Sequence, residues 1–110
     1  MVSENPTVSL HAGYEVGGQF IDAYLARPEG KTGLPGVVLI SGMFGLNWYQ
    51  RQITRRFGEA GFVALSPDLF DGVIAPDRGT ALRSKNSLDL GGAVEWISGA
   101  ADFLHSLPWV

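Results

Sequence analysis

Polar and apolar positions along the chain fall into two kinds of pattern. From Thr7 to Tyr14 they alternate: Val8, Leu10, Ala12 and Tyr14 share one side, and Thr7, Ser9, His11 and Gly13 share the other. A period of two predicts a strand with one wet face. Gln19 to Arg27 reads as a second strand, with Ile21, Ala23 and Leu25 on one face. Gly17-Gly18 between them can supply the positive φ of a tight turn, so the pair predicts an antiparallel hairpin. Pro28 to Gly33 is a loop that Pro35-Gly36 ends. Gly36 to Ile40 is then an unbroken apolar run, rich in β-branched residues. Such a run predicts a strand buried on both faces, as in a parallel sheet covered by helices.

Ser41 to Asn47 is a loop with two glycines. Trp48 to Ala60 fits a helix, with Tyr49, Ile53, Phe57 and Ala60 at helical spacing and Gln50, Arg51, Arg55 and Glu59 opposite. Gly61 stands where a C-terminal cap belongs. Phe62 to Leu65 is a second buried strand, stopped by Ser66-Pro67-Asp68. Strand, helix and strand at this length make a βαβ unit, whose crossover is expected to be right-handed. Leu69 to Arg83 holds Gly72, Pro76 and Gly79 and reads as a loop. The last element runs from about Leu88 to Ser106 as a helix. Its predicted stripe is Leu90, Val94, Ile97, Ala101 and Leu104, with Glu95, Ser98 and Asp102 on the other side. Gly91 and Gly92 each weaken its first turn by about 1 kcal/mol relative to Ala, and Pro108 ends it. The whole predicts a single α/β domain over residues 1–110. A helix after a parallel strand normally leads to another strand; none follows within this sequence, so a partial domain is expected.

Composition narrows the function classes. The 110 residues leave room for one small domain, and 45% hydrophobic against 17% charged residues argues against disorder. The net charge of −3 removes general nucleic-acid binding, which wants a basic excess. With no cysteine, the chain holds no disulfide, thiolate metal ligand or Cys nucleophile. Met1 to Pro6 lacks the basic start and apolar run of a leader. Val37–Ile40, the longest apolar stretch, is far below the about 20 residues that span a bilayer. The expectation is a soluble, cytoplasmic protein without membrane or nucleic-acid partners.

Five segments carry a resemblance. Pro35-Gly36-Val37-Val38-Leu39-Ile40 is followed by Phe44-Gly45-Leu46-Asn47, then Ile53-Thr54-Arg55-Arg56-Phe57, then Glu59-Ala60-Gly61-Phe62-Val63-Ala64-Leu65-Ser66-Pro67-Asp68-Leu69-Phe70. Together with Ile21 to Pro28, these resemble the dienelactone hydrolase family of α/β-hydrolases, closely over about residues 7–70 and loosely beyond. The resemblance implies a three-layer α/β fold: an N-terminal hairpin, then parallel strands, with the sequence ending before the strand that carries the nucleophile. It implies hydrolysis of small esters or lactones by a nucleophile–His–Asp triad, with the nucleophile on a G-x-[SC]-x-G elbow. A complete domain of this kind takes roughly 200–250 residues. It also implies that the fourth strand lies between the second and third, leaving Val37–Ile40 beside the absent nucleophile strand. That open edge would pair with a second copy or with a C-terminal-half partner.

A search for G-x-S-x-G finds none. Ser41 has Leu39 two positions before it, and Ser66, Ser84, Ser87, Ser98 and Ser106 fail likewise. His11 and His105 read as surface histidines, the latter suited to a helix C-terminus. The chain alone is therefore expected to be inactive. One catalytic part remains: the resemblance implies an oxyanion-hole N–H from the loop after the third strand, and carries it to the backbone of Met43. The family often has Glu at the position of Gly42 and a substrate-binding Arg at that of Gly72; both departures argue against dienelactone as the substrate. Asp68 reads as a turn-capping residue. Arg51, Arg55 and Arg56 read as a solvated basic face, with a phosphate or partner site as the alternative. Gly42–Gly45 is no phosphate loop, because no G-K-[ST] follows. Asp68 and Asp71 are too few carboxylates to predict a metal, and no cofactor is expected. Trp48, Trp96 and Trp109 read as partly buried packing residues.

Overall fold

The computed structural model describes residues 6–70 and 72–110. The leader reading of Met1–Asn5 and the carboxylate of Asp71 lie outside them. Strands β1 (Thr7–Val16) and β2 (Gln19–Pro28) form the expected hairpin, in register from Thr7 opposite Pro28 to Val16 opposite Gln19. Gly17 and Gly18 both take positive φ, 58° and 82°, the turn whose twist matches that of the strands. β3 (Gly36–Val38), helix α1 (Trp48–Glu59) and β4 (Val63–Pro67) follow. β4 lies antiparallel to β2, with Leu25 opposite Leu65, and parallel to β3, with Val37 opposite Ala64. The sheet order is β1-β2-β4-β3. Helices α2 (Arg78–Asn86) and α3 (Leu90–Ser106) complete the described elements.

The sheet is covered on both faces. On one, Tyr14, Ile21, Ala23, Leu25, Val63 and Leu65 form a core with Ala100 and Leu104 of α3. On the other, Thr54 and Gly58 of α1 meet Ser66 of β4 and Ala26 of β2. This is the three-layer α/β arrangement. β4, at its centre, is buried throughout. No helix is long and apolar enough to cross a membrane among the described residues.

Four local expectations change. First, β3 is not buried on both faces: it is a three-residue edge strand, Val37 and Val38 are half-buried, and Ile40 is 52% exposed. Its ladder to β4 extends one step further, through Leu39 N–H to the Leu65 carbonyl at 2.8 Å, and its other side has no neighbouring strand among the described residues. Second, α1 buries Thr54 and Gly58 rather than the stripe through Tyr49, which is 68% exposed. Beneath these two positions lie the small residues Ser66 and Ala26, and Gly58 lets the helix backbone approach Ala26; a β-carbon there would stand 3.0 Å from the Ala26 side chain.

Third, α3 is rotated about its axis relative to the predicted stripe. Ala93, Ala100 and Leu104 are buried, with Trp96 and Phe103 partly so, while Leu90 and Val94 are exposed. Gly99 is the reason: Val16 and Tyr14 press against the space a side chain would need there. Tyr14 also stacks on Phe103 at 5.8 Å and donates its hydroxyl to the Trp96 carbonyl at 2.7 Å. Fourth, the supposed loop from Leu69 to Arg83 contains the start of α2. Asp77 caps it, its carboxylate accepting from Thr80 N–H at 2.7 Å.

Candidate active site

The segment that leaves β3 turns sharply before α1. The Gly45 N–H donates to the Gly42 carbonyl at 3.0 Å, closing a β-turn with Met43 and Phe44 as its central residues. Gly45 takes φ +84°, and its α-carbon lies against the Val73 carbonyl, so a β-carbon would collide with it. One residue before Gly45, the Phe44 carbonyl accepts from the Ala75 N–H at 3.1 Å. The turn is thus fastened to the segment after β4. Asn47 fixes its far end, capping α1 by accepting from Gln50 N–H at 2.9 Å. Below, Thr54 Oγ1 and Ser66 Oγ share a buried hydrogen bond of 2.7 Å, and Gln50 Nε2 donates to the same Ser66 oxygen at 3.2 Å.

The central N–H groups of a β-turn lie outside its closing hydrogen bond. Among the described residues neither the Met43 nor the Phe44 N–H has an intramolecular acceptor. Met43 is half-buried. Two adjacent unpaired N–H groups on a braced turn, at the carboxyl end of a sheet strand, suit an oxygen that gains negative charge. Ser41 adds a feature that the sequence did not reveal: it is 6% exposed, and its buried hydroxyl has no partner among the described residues. Gly42 is exposed, with nothing within 4 Å of where its β-carbon would be. A side chain at this position, such as the Glu common in the family, would meet open space.

The other sequence candidates stand apart from this turn. Asp68 is 8% exposed, and its oxygens accept from Phe70 N–H at 3.0 Å and Gly72 N–H at 2.8 Å. That is a loop-capping carboxylate. His11 lies on β1, at the edge of the sheet opposite β3, with its ring edge-on to Tyr24 at 5.5 Å. His105 is beside Gly36, at the far end of β3 from the turn. Arg55 Nε donates to Ser9 Oγ at 3.1 Å and to the Tyr24 hydroxyl at 3.2 Å. Burial alone would raise the Tyr24 hydroxyl; the Ser9 and Arg55 hydrogen bonds and the charges of Arg55 and Arg51 outweigh it and bring it below the usual phenol value. Among the described residues no group of three or more His, Asp or Glu side chains is placed to hold a metal.

The comparisons with known proteins agree with the fold. The sequence profile of the dienelactone hydrolase family matches residues 21–97. A protein of Azospirillum brasilense that bears the name carboxymethylenebutenolidase is 40% identical over 63 residues, 57% of this chain and 26% of that protein. A Salmonella typhi protein of the same name is 37% identical over 54 residues, 48% of this chain and 20% of its own. A crystal structure titled as a dienelactone hydrolase from Klebsiella pneumoniae superposes with a TM-score of 0.87 at 20% identity, over 96% of this chain and 47% of that one. A dienelactone hydrolase-like promiscuous phosphotriesterase from metagenomic libraries gives 0.75 at 27% identity, over 94% and 45%. This chain therefore spans about a quarter and a fifth of those two named relatives and just under half of the solved structures. On the match over residues 21–97 and the shared fold, it belongs to the dienelactone hydrolase family.

Proposed function

We propose that these residues form the oxyanion-binding half of a carboxylic ester or lactone hydrolase, with Met43 N–H as a donor to the oxyanion. The nucleophile, base and acid come from polypeptide outside the 110 residues. In such a reaction the nucleophile attacks the ester carbonyl, and the carbonyl oxygen gains the charge. A donor already held in place stabilises that charge without reorganising as the reaction proceeds. The observation that carries the reading is the Gly42–Gly45 turn, braced by Val73 and Ala75, with the Met43 N–H unpaired. The test is hydrolysis of a chromogenic acetate ester by the chain alone, and by the chain mixed with the carboxyl-terminal half of a family relative. Background rates alone and turnover in the mixture support it. Turnover by the chain alone that vanishes in Ser41→Ala would overturn it.

A second reading is favoured by the side of β3 that has no partner strand among the described residues. It is a non-catalytic subunit whose sheet accepts a strand from another chain. Ile40, 52% exposed just after β3, supplies apolar surface for such a contact. The Leu34 N–H already donates to the Trp109 carbonyl at 2.8 Å, just before β3 begins. Sedimentation separates the readings: a monomer that ignores the added half excludes the strand-accepting role.

A further inference from the structure

Val73, whose carbonyl braces Gly45, also forms part of the wall of a cleft of about 280 Å³. The cleft lies between the segment after β4, the end of α2 and the start of α3, and is open on one side. Its walls are apolar, with Leu69, Phe70, Leu88 and Trp96 beside Val73; Ser84 and Ser87 add hydroxyls. The one charged side chain among the described lining residues is Asp89. An adjoining cleft of about 330 Å³ shares Leu88, Asp89 and Trp96 and adds Glu95, again with no cation among its described lining residues.

We propose that the cleft behind Val73 binds the uncharged, apolar portion of a small ester, an aryl or short alkyl group, and discriminates against carboxylate-bearing ligands. The inference deepens the hydrolase reading and rests on it for the word ester; the binding itself does not. The size is suitable: an apolar cavity of about 150 Å³ accepts benzene, so this one admits a ring with a short substituent. Charge sets the selectivity. A carboxylate here loses water against apolar walls, meets no cation, and faces the carboxylate of Asp89.

The probes are benzyl methyl ketone and phenylacetate, which match in size and differ in charge, titrated against the full chain by tryptophan fluorescence. The ketone should give a saturable change that is lost in Trp96→Phe, and phenylacetate should bind about tenfold more weakly or worse. Ser87→Phe, at an exposed position, and Ser84→Leu, on α2, each narrow the cleft. Each should weaken the ketone by about tenfold with circular dichroism unchanged. Equal affinity for the two probes, wild-type affinity in both narrowed variants, a signal that survives Trp96→Phe, or no saturable change would overturn the proposal. Ketone binding without hydrolysis in the complemented protein would sink the hydrolase reading and leave the cleft. Hydrolysis without ketone binding would do the reverse.

Discussion

The α-carbon of Gly45 lies directly against the carbonyl oxygen of Val73, in a backbone conformation of positive φ that L-residues avoid. This contact joins the turn after β3 to the segment after β4, and it holds Met43 in place. Gly45→Ala meets both a collision and an unfavourable φ. It should destabilise the chain by about 2–4 kcal/mol, read from the midpoint of a urea transition.

Asn47 controls the other end of the same segment through its bond to the Gln50 N–H. Asn47→Ala should lower stability by about 1 kcal/mol, while Asn47→Asp, which keeps the acceptor, should stay close to wild type. Equal losses in the two variants would mean that the cap contributes nothing.

Tyr14 sets an alkaline limit. Burial pushes its hydroxyl from 10.0 up to about 12, because the phenolate would be desolvated; it would also face the Trp96 carbonyl that the hydroxyl now donates to. The folded state therefore holds this proton more tightly than the unfolded chain. Its contribution is fully present below about pH 10 and is lost as pH rises towards about 12. Tyr14→Phe should cost about 1 kcal/mol at neutral pH and flatten this part of the alkaline decline. Thermal midpoints of the two proteins between pH 8 and 12 give the comparison.

Ser41 provides a contrast. Its buried hydroxyl has no partner among the described residues, so removing it breaks no internal bond. Ser41→Ala should leave the stability of the chain within about 0.5 kcal/mol of wild type. A loss of about 1–3 kcal/mol would reveal a structural partner.

Much of the architecture was legible in the sequence. Alternation and Gly17-Gly18 gave the hairpin, and the apolar runs around Trp48–Ala60 gave the βαβ unit. The family resemblance gave the position of β4 between β2 and β3. Large side chains carry most of the hydrophobic signal along the helices. Both helices pack through small residues, Thr54 and Gly58 in α1 and Ala93, Gly99 and Ala100 in α3. These allow close approach but carry little hydrophobic signal. The exposed Tyr49, Leu90 and Val94 dominated the periodicity instead. Pro76 and Gly79 hid α2, although Asp77 three residues before Thr80 was a readable cap. Met43 came from the resemblance alone, since no sequence pattern records an unpaired backbone N–H. The orphaned hydroxyl of Ser41 and the cleft beside Trp96 depend on contacts between distant segments, and so were out of reach.

The most direct test removes the proposed donor while leaving the turn intact. Met43 is the first central residue of the turn, a position where proline is favoured, and proline has no N–H. In the protein complemented with a carboxyl-terminal half, Met43→Pro should reduce ester turnover about 10²–10³-fold, while Met43→Ala, which keeps the N–H, stays close to wild type. Equal turnover in the two variants, with both folded, would contradict the assignment of the Met43 N–H to the oxyanion.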